Sequence, residues 1–145
     1  MENQKNDNLN LLEAVVQNTE MGKNTLEQIV PMTEDPAFRA ELLRERNLYR
    51  ELNQEPTPPS RPAAARLRAR ASCKAQHQNG HRDENAHRQI YRNLAEMLSE
   101  GSSQGVMDCI KSQKDYPDAA PGSKRLMQKL QDLEEENRLK LEQFL

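Results

Sequence analysis

The sequence predicts an all-α protein: an up-down four-helix bundle with one long disordered crossover between its second and third helices. Three observations predict it. Leu, Glu, Lys, Arg, Gln, Ala and Met dominate the chain, and these are the strong helix formers. Only five aromatic residues occur (Phe38, Tyr49, Tyr91, Tyr116 and Phe144) and Trp is absent, which starves a β-rich core of its usual material. Apolar residues recur by threes and fours in four blocks, the period of a helix with one buried stripe.

The first helix is expected over about 8–30, capped by Asp7 or Asn8. Its inner stripe is read as Leu9, Leu12, Val16, Thr19, Leu26 and Val30, with a gap at Lys23. Pro31 ends it, because the residue before proline is pushed out of the α region. Asp35-Pro36 opens the second helix, about 35–54, as a capping acid followed by proline in the first turn. Its stripe is Phe38, Leu42, Glu45, Tyr49 and Leu52, and Pro56 stops the pattern.

Order is expected to return near His87. A third helix over about 88–115 would turn Ile90, Leu94, Met97, Gly101, Gly105 and Val106 or Cys109 inward, ending before Pro117. After the short turn 116–122, Ser123 can cap a fourth helix over about 122–144. There Leu126, Leu130, Leu133, Asn137 and Leu141 face inward, and the pairs Glu134–Arg138 and Glu136–Lys140 lie on the outer face. The helices would be roughly 32, 25, 42 and 33 Å long, so the third overhangs. Short turns make each consecutive pair an antiparallel hairpin.

At 145 residues the chain has room for one domain. It holds no apolar run near the roughly 20 residues that a membrane span needs. The opening Met1-Glu-Asn-Gln-Lys5 carries no signal-peptide core, and the expectation is a cytoplasmic protein. Cys73 and Cys109 fit no disulfide or metal spacing and read as reduced thiols.

The middle, 56–87, breaks the helical pattern. Pro56, Pro58, Pro59 and Pro62 forbid a regular helix, and beyond them only Leu67 is a sizeable apolar residue. Between Arg61 and Arg92 eight bases face two acids, whereas the rest of the chain is acidic. His77, His81 and His87 all fall in this stretch. Arg66, Arg68, Arg70 and Lys74 are close enough to form a phosphate-binding patch. Aromatic stacking partners are missing apart from Tyr91, which weakens the case for single-strand recognition.

The segments Leu11-Leu-Glu-Ala-Val-Val-Gln-Asn-Thr-Glu-Met-Gly22, Phe38-Arg-Ala-Glu-Leu-Leu43 and Leu94–Lys111, with the Leu-rich last helix, carry a resemblance. Together they resemble small uncharacterised bacterial proteins with a ferritin-like four-helix bundle. The resemblance spans about two thirds of the chain and implies the fold but no activity. It departs from the family over about 56–92, where such proteins would continue helix two and begin helix three.

That departure suggests a second reading of the middle: part of it is translated out of frame. Shifted by one base, Pro56 to Ala64 is compatible with Ala-His-Thr-Ala-Leu-Ala-Ala-Cys-Gly, a helical continuation of Gln54-Glu55. In the remaining frame, Asn79 to Arg92 can give Met-Ala-Thr-Ala-Met-Lys-Met and a Thr- and Asp-rich helix leading into Asn93. Three successive single-base losses would produce this order. Stop codons in the alternative frames of the coding DNA would exclude it.

Other constellations read as structural. Gly101-Ser-Ser-Gln-Gly105 has the spacing of a nucleophile elbow, but that motif needs a strand before its serine, and here a helix precedes it. Small residues allowing close helix contact are the better account. Glu13, Glu20, Glu27, Glu96 and Glu100 would be inward candidates for a di-iron centre, yet no Glu-x-x-His pair accompanies them, and a solvated face is expected. Cys109 reads as a small core residue, and Met21, Met32, Met97, Met107 and Met127 as adaptable packing. No catalytic, cofactor-binding or metal-ligating residue is assigned and no cofactor is expected. The expectation is a non-enzymatic structural or interaction module, with self-association as one partnership. The alternative is a nucleic-acid-associated protein using the basic 61–92 stretch.

Overall fold

A computed structural model describes residues 2–55 and 84–145. Helix α1 is Glu2–Ile29, α2 is Pro36–Gln54, α3 is Glu84–Asp115 and α4 is Pro121–Leu141. Short 3₁₀ turns at Val30–Met32 and Glu142–Phe144 follow α1 and α4. No strand occurs among the described residues. The fold is a four-helix bundle, as composition and period imply. The crossover assigned to 56–87 lies outside the described residues as far as 83; its last four residues are helical, because α3 starts at Glu84 rather than near His87. An acidic residue in the first turn suits the positive end of the helix dipole. Residues 84–92 are therefore helical in the frame as written.

Named contacts at each end fix the helix directions. Near the start of α1, Asp7 Oδ2 accepts the Asp118 N–H at 3.0 Å and Asn8 Oδ1 accepts the Ala120 N–H at 3.3 Å. The Ser123 hydroxyl also donates to Asn8. At the opposite end, the Phe38 ring meets Tyr91 with centroids 5.9 Å apart and Phe144 at 4.9 Å. Thus α1 and α4 run one way, and α2 and α3 run back. Each hairpin is antiparallel, while α2 and α3 are parallel. Glu55 meets Lys129 at 2.8 Å near the far end, so Glu55 and Glu84 lie at opposite ends of the bundle.

The capping expectations divide. Asp35 caps α2 as read, its Oδ1 accepting the Phe38 N–H at 2.7 Å. Asp7 and Asn8 do not start α1, which begins at Glu2; they hold the α3–α4 turn instead. Ser123 is not the cap of α4 either. Ala120 occupies that position, and Pro121 supplies the preset φ of the first turn.

All five inner positions read for α2 are buried. In α1, Leu12, Thr19, Leu26 and Val30 are buried as read, but the stripe is rotated towards Leu11, Val15 and Ile29, which are buried too, while Leu9 is exposed and Val16 only half-buried. The apparent gap at Lys23 belongs to Gly22, which continues the 15-19-22-26-29 register. A Cβ on Gly22 would lie 2.7 Å from the Tyr49 ring, so the space is already taken from the other side.

The first part of the α3 register moves by one residue: Ala95 and Ser102 are buried, whereas Ile90, Met97 and Gly101 are exposed and Leu94 is half-buried; Gly105 and Cys109 are buried as read. Close packing against α4 selects the small side chains, not the large ones. In α4, Leu126, Leu130, Asn137 and Leu141 are buried as read, joined by Met127 and Glu134; Leu133 is half-buried. Glu134 therefore does not pair with Arg138, which binds Glu142 at 2.9 Å. The Glu136–Lys140 pair forms at 3.4 Å. Of the methionines among the described residues, only Met127 packs inside; Met21, Met32, Met97 and Met107 are exposed. No helix among the described residues is long and apolar enough to cross a membrane.

Candidate functional site

The unusual feature of this bundle is a polar seam in its core. Tyr49 on α2 and Glu134 on α4 occupy a/d-type inner positions, and both are buried. The Tyr49 hydroxyl donates to Glu134 Oε2 at 2.7 Å. Glycines seat the pair from both sides. The Tyr49 ring fills the space where a Gly22 side chain on α1 would stand, and the Glu134 carboxyl fills that of Gly105 on α3. All four helices thus meet around one hydrogen bond.

Further polar contacts extend the seam in both directions. Asn137, fully buried, accepts through Oδ1 from Arg44 Nη2 at 3.1 Å. Arg44 is otherwise engaged by Glu41, whose carboxylate accepts from its Nε at 3.0 Å. Towards the other end, Asn53 Nδ2 donates to Thr19 Oγ1 at 2.9 Å, and that hydroxyl donates back to the Val15 carbonyl at 2.8 Å. Glu45 sits between these contacts at 2% exposure, and its Oε1 meets no hydrogen-bond donor among the described residues.

Burial dominates the electrostatics. It pushes the Glu45 carboxyl from 4.5 up to about 8, with the neighbouring Glu41 carboxylate adding to the rise and Arg44 opposing it. Glu134 is pushed up to about 7 by burial, held back by the Tyr49 and Ser102 hydroxyls that bond its charged form. The Tyr49 phenol is raised by burial and by the charge of Glu134. Burial likewise pushes the Cys109 thiol up to about 12, which leaves it a poor nucleophile. Chemically, the seam can store a proton; it presents no activated nucleophile.

Beside the seam, a groove of about 370 Å³ opens between α1 and α3. Cys109, Met127 and Leu130 form its floor, with Ala14, Met21 and Lys111 among the walls.

The residues singled out from sequence fare differently. Arg66, Arg68, Arg70 and Lys74 lie outside the described residues, as do Cys73, His77 and His81. His87 is described and stands 4.0 Å from Glu34 beside the Tyr91 ring. Ser103, the elbow serine by spacing, sits in mid-helix and donates to the Ser99 carbonyl at 2.9 Å. Of its flanking glycines, Gly105 is a close-contact residue and Gly101 is not. Glu13, Glu20, Glu27, Glu96 and Glu100 are exposed and do not converge; Glu27 meets Arg50 at 3.5 Å. No group of three or more His, Cys, Asp or Glu among the described residues is placed to hold a metal ion.

The Tyr49–Glu134 bond is not legible in the period: Leu133 and Glu134 both fit a three-four spacing between Leu130 and Asn137, and hydropathy favours the leucine. No family model matches the chain, and neither a curated protein nor a solved structure matches it.

Proposed function

We propose that the chain is a non-enzymatic structural or interaction module built on a ferritin-like bundle. The observation that carries this reading is the closure of the core by its own side chains. Tyr49 and Ser102 engage Glu134, Arg44 engages Asn137, and glycines on α1 and α3 seat the bonded pair. Two antiparallel hairpins with α2 parallel to α3, joined by one long connection, are what a ferritin-like chain path requires. Scattered exposed apolar side chains on α3 (Ile90, Met97, Met107 and Ile110) suit a helix that meets other protein surfaces, self-association included. The absence of a membrane-spanning helix among the described residues accords with a cytoplasmic setting.

Two measurements test this. Light scattering coupled to size-exclusion chromatography should give a defined oligomeric state that substitutions at Ile90 and Met97 alter without unfolding the chain. Titration with ferrous or manganous ion should give no stoichiometric binding; tight binding at a fixed ratio would overturn the reading.

A second reading rests on the charge division of the sequence. With eight bases against two acids over 61–92, the chain is a nucleic-acid-associated protein that contacts phosphates through Arg66, Arg68, Arg70 and Lys74. Binding to RNA or DNA that survives moderate salt and depends on sequence supports it. Binding that vanishes with modest salt and ignores sequence is incidental polyanion affinity.

A further inference from the structure

We propose that Glu45 and Glu134 form a proton-held latch between α2 and α4. With the proton in place the seam closes as observed; without it, two carboxylates carry like charge inside a buried helix interface and α2 loosens from α4.

Geometry supplies the argument. Glu45 is 2% exposed and Glu134 3%, on helices that face each other. Glu45 lies one turn from Tyr49, whose hydroxyl spans the seam to Glu134, and beside Arg44, whose guanidinium spans it to Asn137. The carboxyl is therefore held inside within one helical turn of both cross-seam bonds, out of reach of water. Its Oε1 has no donor among the described residues, which a buried carboxylate cannot tolerate cheaply and a neutral carboxylic acid can.

The surrounding charges favour the proton. On α2, Glu41 repels a charged Glu45 and can accept a hydrogen bond from its neutral form. Among the described residues Arg44 is the cation that opposes this rise at Glu45, but it is forked onto Glu41 and lies 3.9 Å from Glu136. From α4 comes Glu134, another like charge. From α3, Asp108 repels a charged Glu134 while the Ser102 hydroxyl supports it. The groups that α1 brings to the seam, Gly22 and Thr19, carry no charge.

The direction of the pH dependence follows. Both acids bind their protons more tightly folded than at the ordinary value of 4.5, up to about 8 for Glu45 and about 7 for Glu134. The folded state thus holds more protons than the unfolded one over that window. The stability from protonation is fully present below pH 4.5 and is lost as pH rises through about 7 to 8.

Two readouts on the full chain test the latch. Melting temperature measured from about pH 6 to about pH 9 should fall by on the order of 10 °C in the wild type. It should fall much less in Glu45→Gln, which keeps the shape and removes the charge. In parallel, infrared spectra in D₂O near pH 7 should show a protonated-carboxyl stretching band when ordinary carboxyls are all ionised. That band should shrink in Glu45→Gln and persist in Glu135→Gln, an exposed control. The infrared measurement on wild type stands even if Glu45→Gln fails to fold. A flat wild-type profile, an equal fall in Glu45→Gln, or no protonated-carboxyl band near neutral pH overturns the proposal.

Discussion

Two neighbouring regions of the bundle core are built on different principles. Where α2 begins and α4 ends, Phe38 packs among Tyr91, Phe144, Leu42 and Leu141, an apolar cluster. Two to three turns further along α2, the core holds Glu45, Tyr49, Glu134 and Asn137. The first region is held by area removed from water, which is non-directional and forgiving of small shifts. The second is held by directed bonds whose partners must be placed to within a few tenths of an ångström. One gives stability, and the other sets how the hairpins align.

Breaking the apolar end should cost the most. Phe38→Ala empties a fully buried aromatic site and should lose about 3–5 kcal/mol in urea unfolding. Gly105→Ala attacks the polar region: its new methyl would lie 2.7 Å from Glu134 Cδ, so the carboxyl must leave Tyr49 or the helices must part. A loss of about 1–3 kcal/mol is expected, with part of it recovered when Glu134→Ala is added. Tyr49→Phe removes one bond and keeps the packing; about 1–2 kcal/mol should go. A shift of the alkaline limb of the stability–pH profile should accompany it, because Glu134 loses a donor to its charged form. The smallest effect sharpens the contrast with Gly105. Nothing lies within 4 Å of a Cβ on Gly101, so Gly101→Ala should stabilise α3 by about 0.5–1 kcal/mol. Equal effects of alanine at 101 and 105 would erase the distinction between the two glycines.

Legibility from sequence varied for physical reasons. In α2, large apolar residues keep a clean period and no competing apolar residues adjoin them except Leu43 and Leu48, so all five buried positions were readable, Glu45 included. In α1, the doublets Leu11-Leu12 and Val15-Val16 allow two rotations of the stripe, and only contact with Tyr49 at Gly22 selects one. In α3, hydrophobicity points to Ile90 and Met97, yet proximity to α4 demands Ala95 and Ser102 beside Gly105. Size overruled hydrophobicity there. Of the candidate site, the period alone turns Thr19, Glu45, Tyr49, Gly105 and Asn137 inward, whereas Glu134 is expected on the surface because its spacing from Arg138 suits an exposed pair.

Composition and period by themselves determined the helical class, the two hairpins, the whole inner face of α2 and the Asp35 cap, all properties of one helix or one turn. Tertiary structure alone decided the parallel course of α2 and α3, the rotation of α1 and α3, and the turn inward of Glu134. Each of these depends on what a neighbouring helix puts into the same space. A helical period states that a face is buried, and only the opposing side chains state which residue on that face can fit.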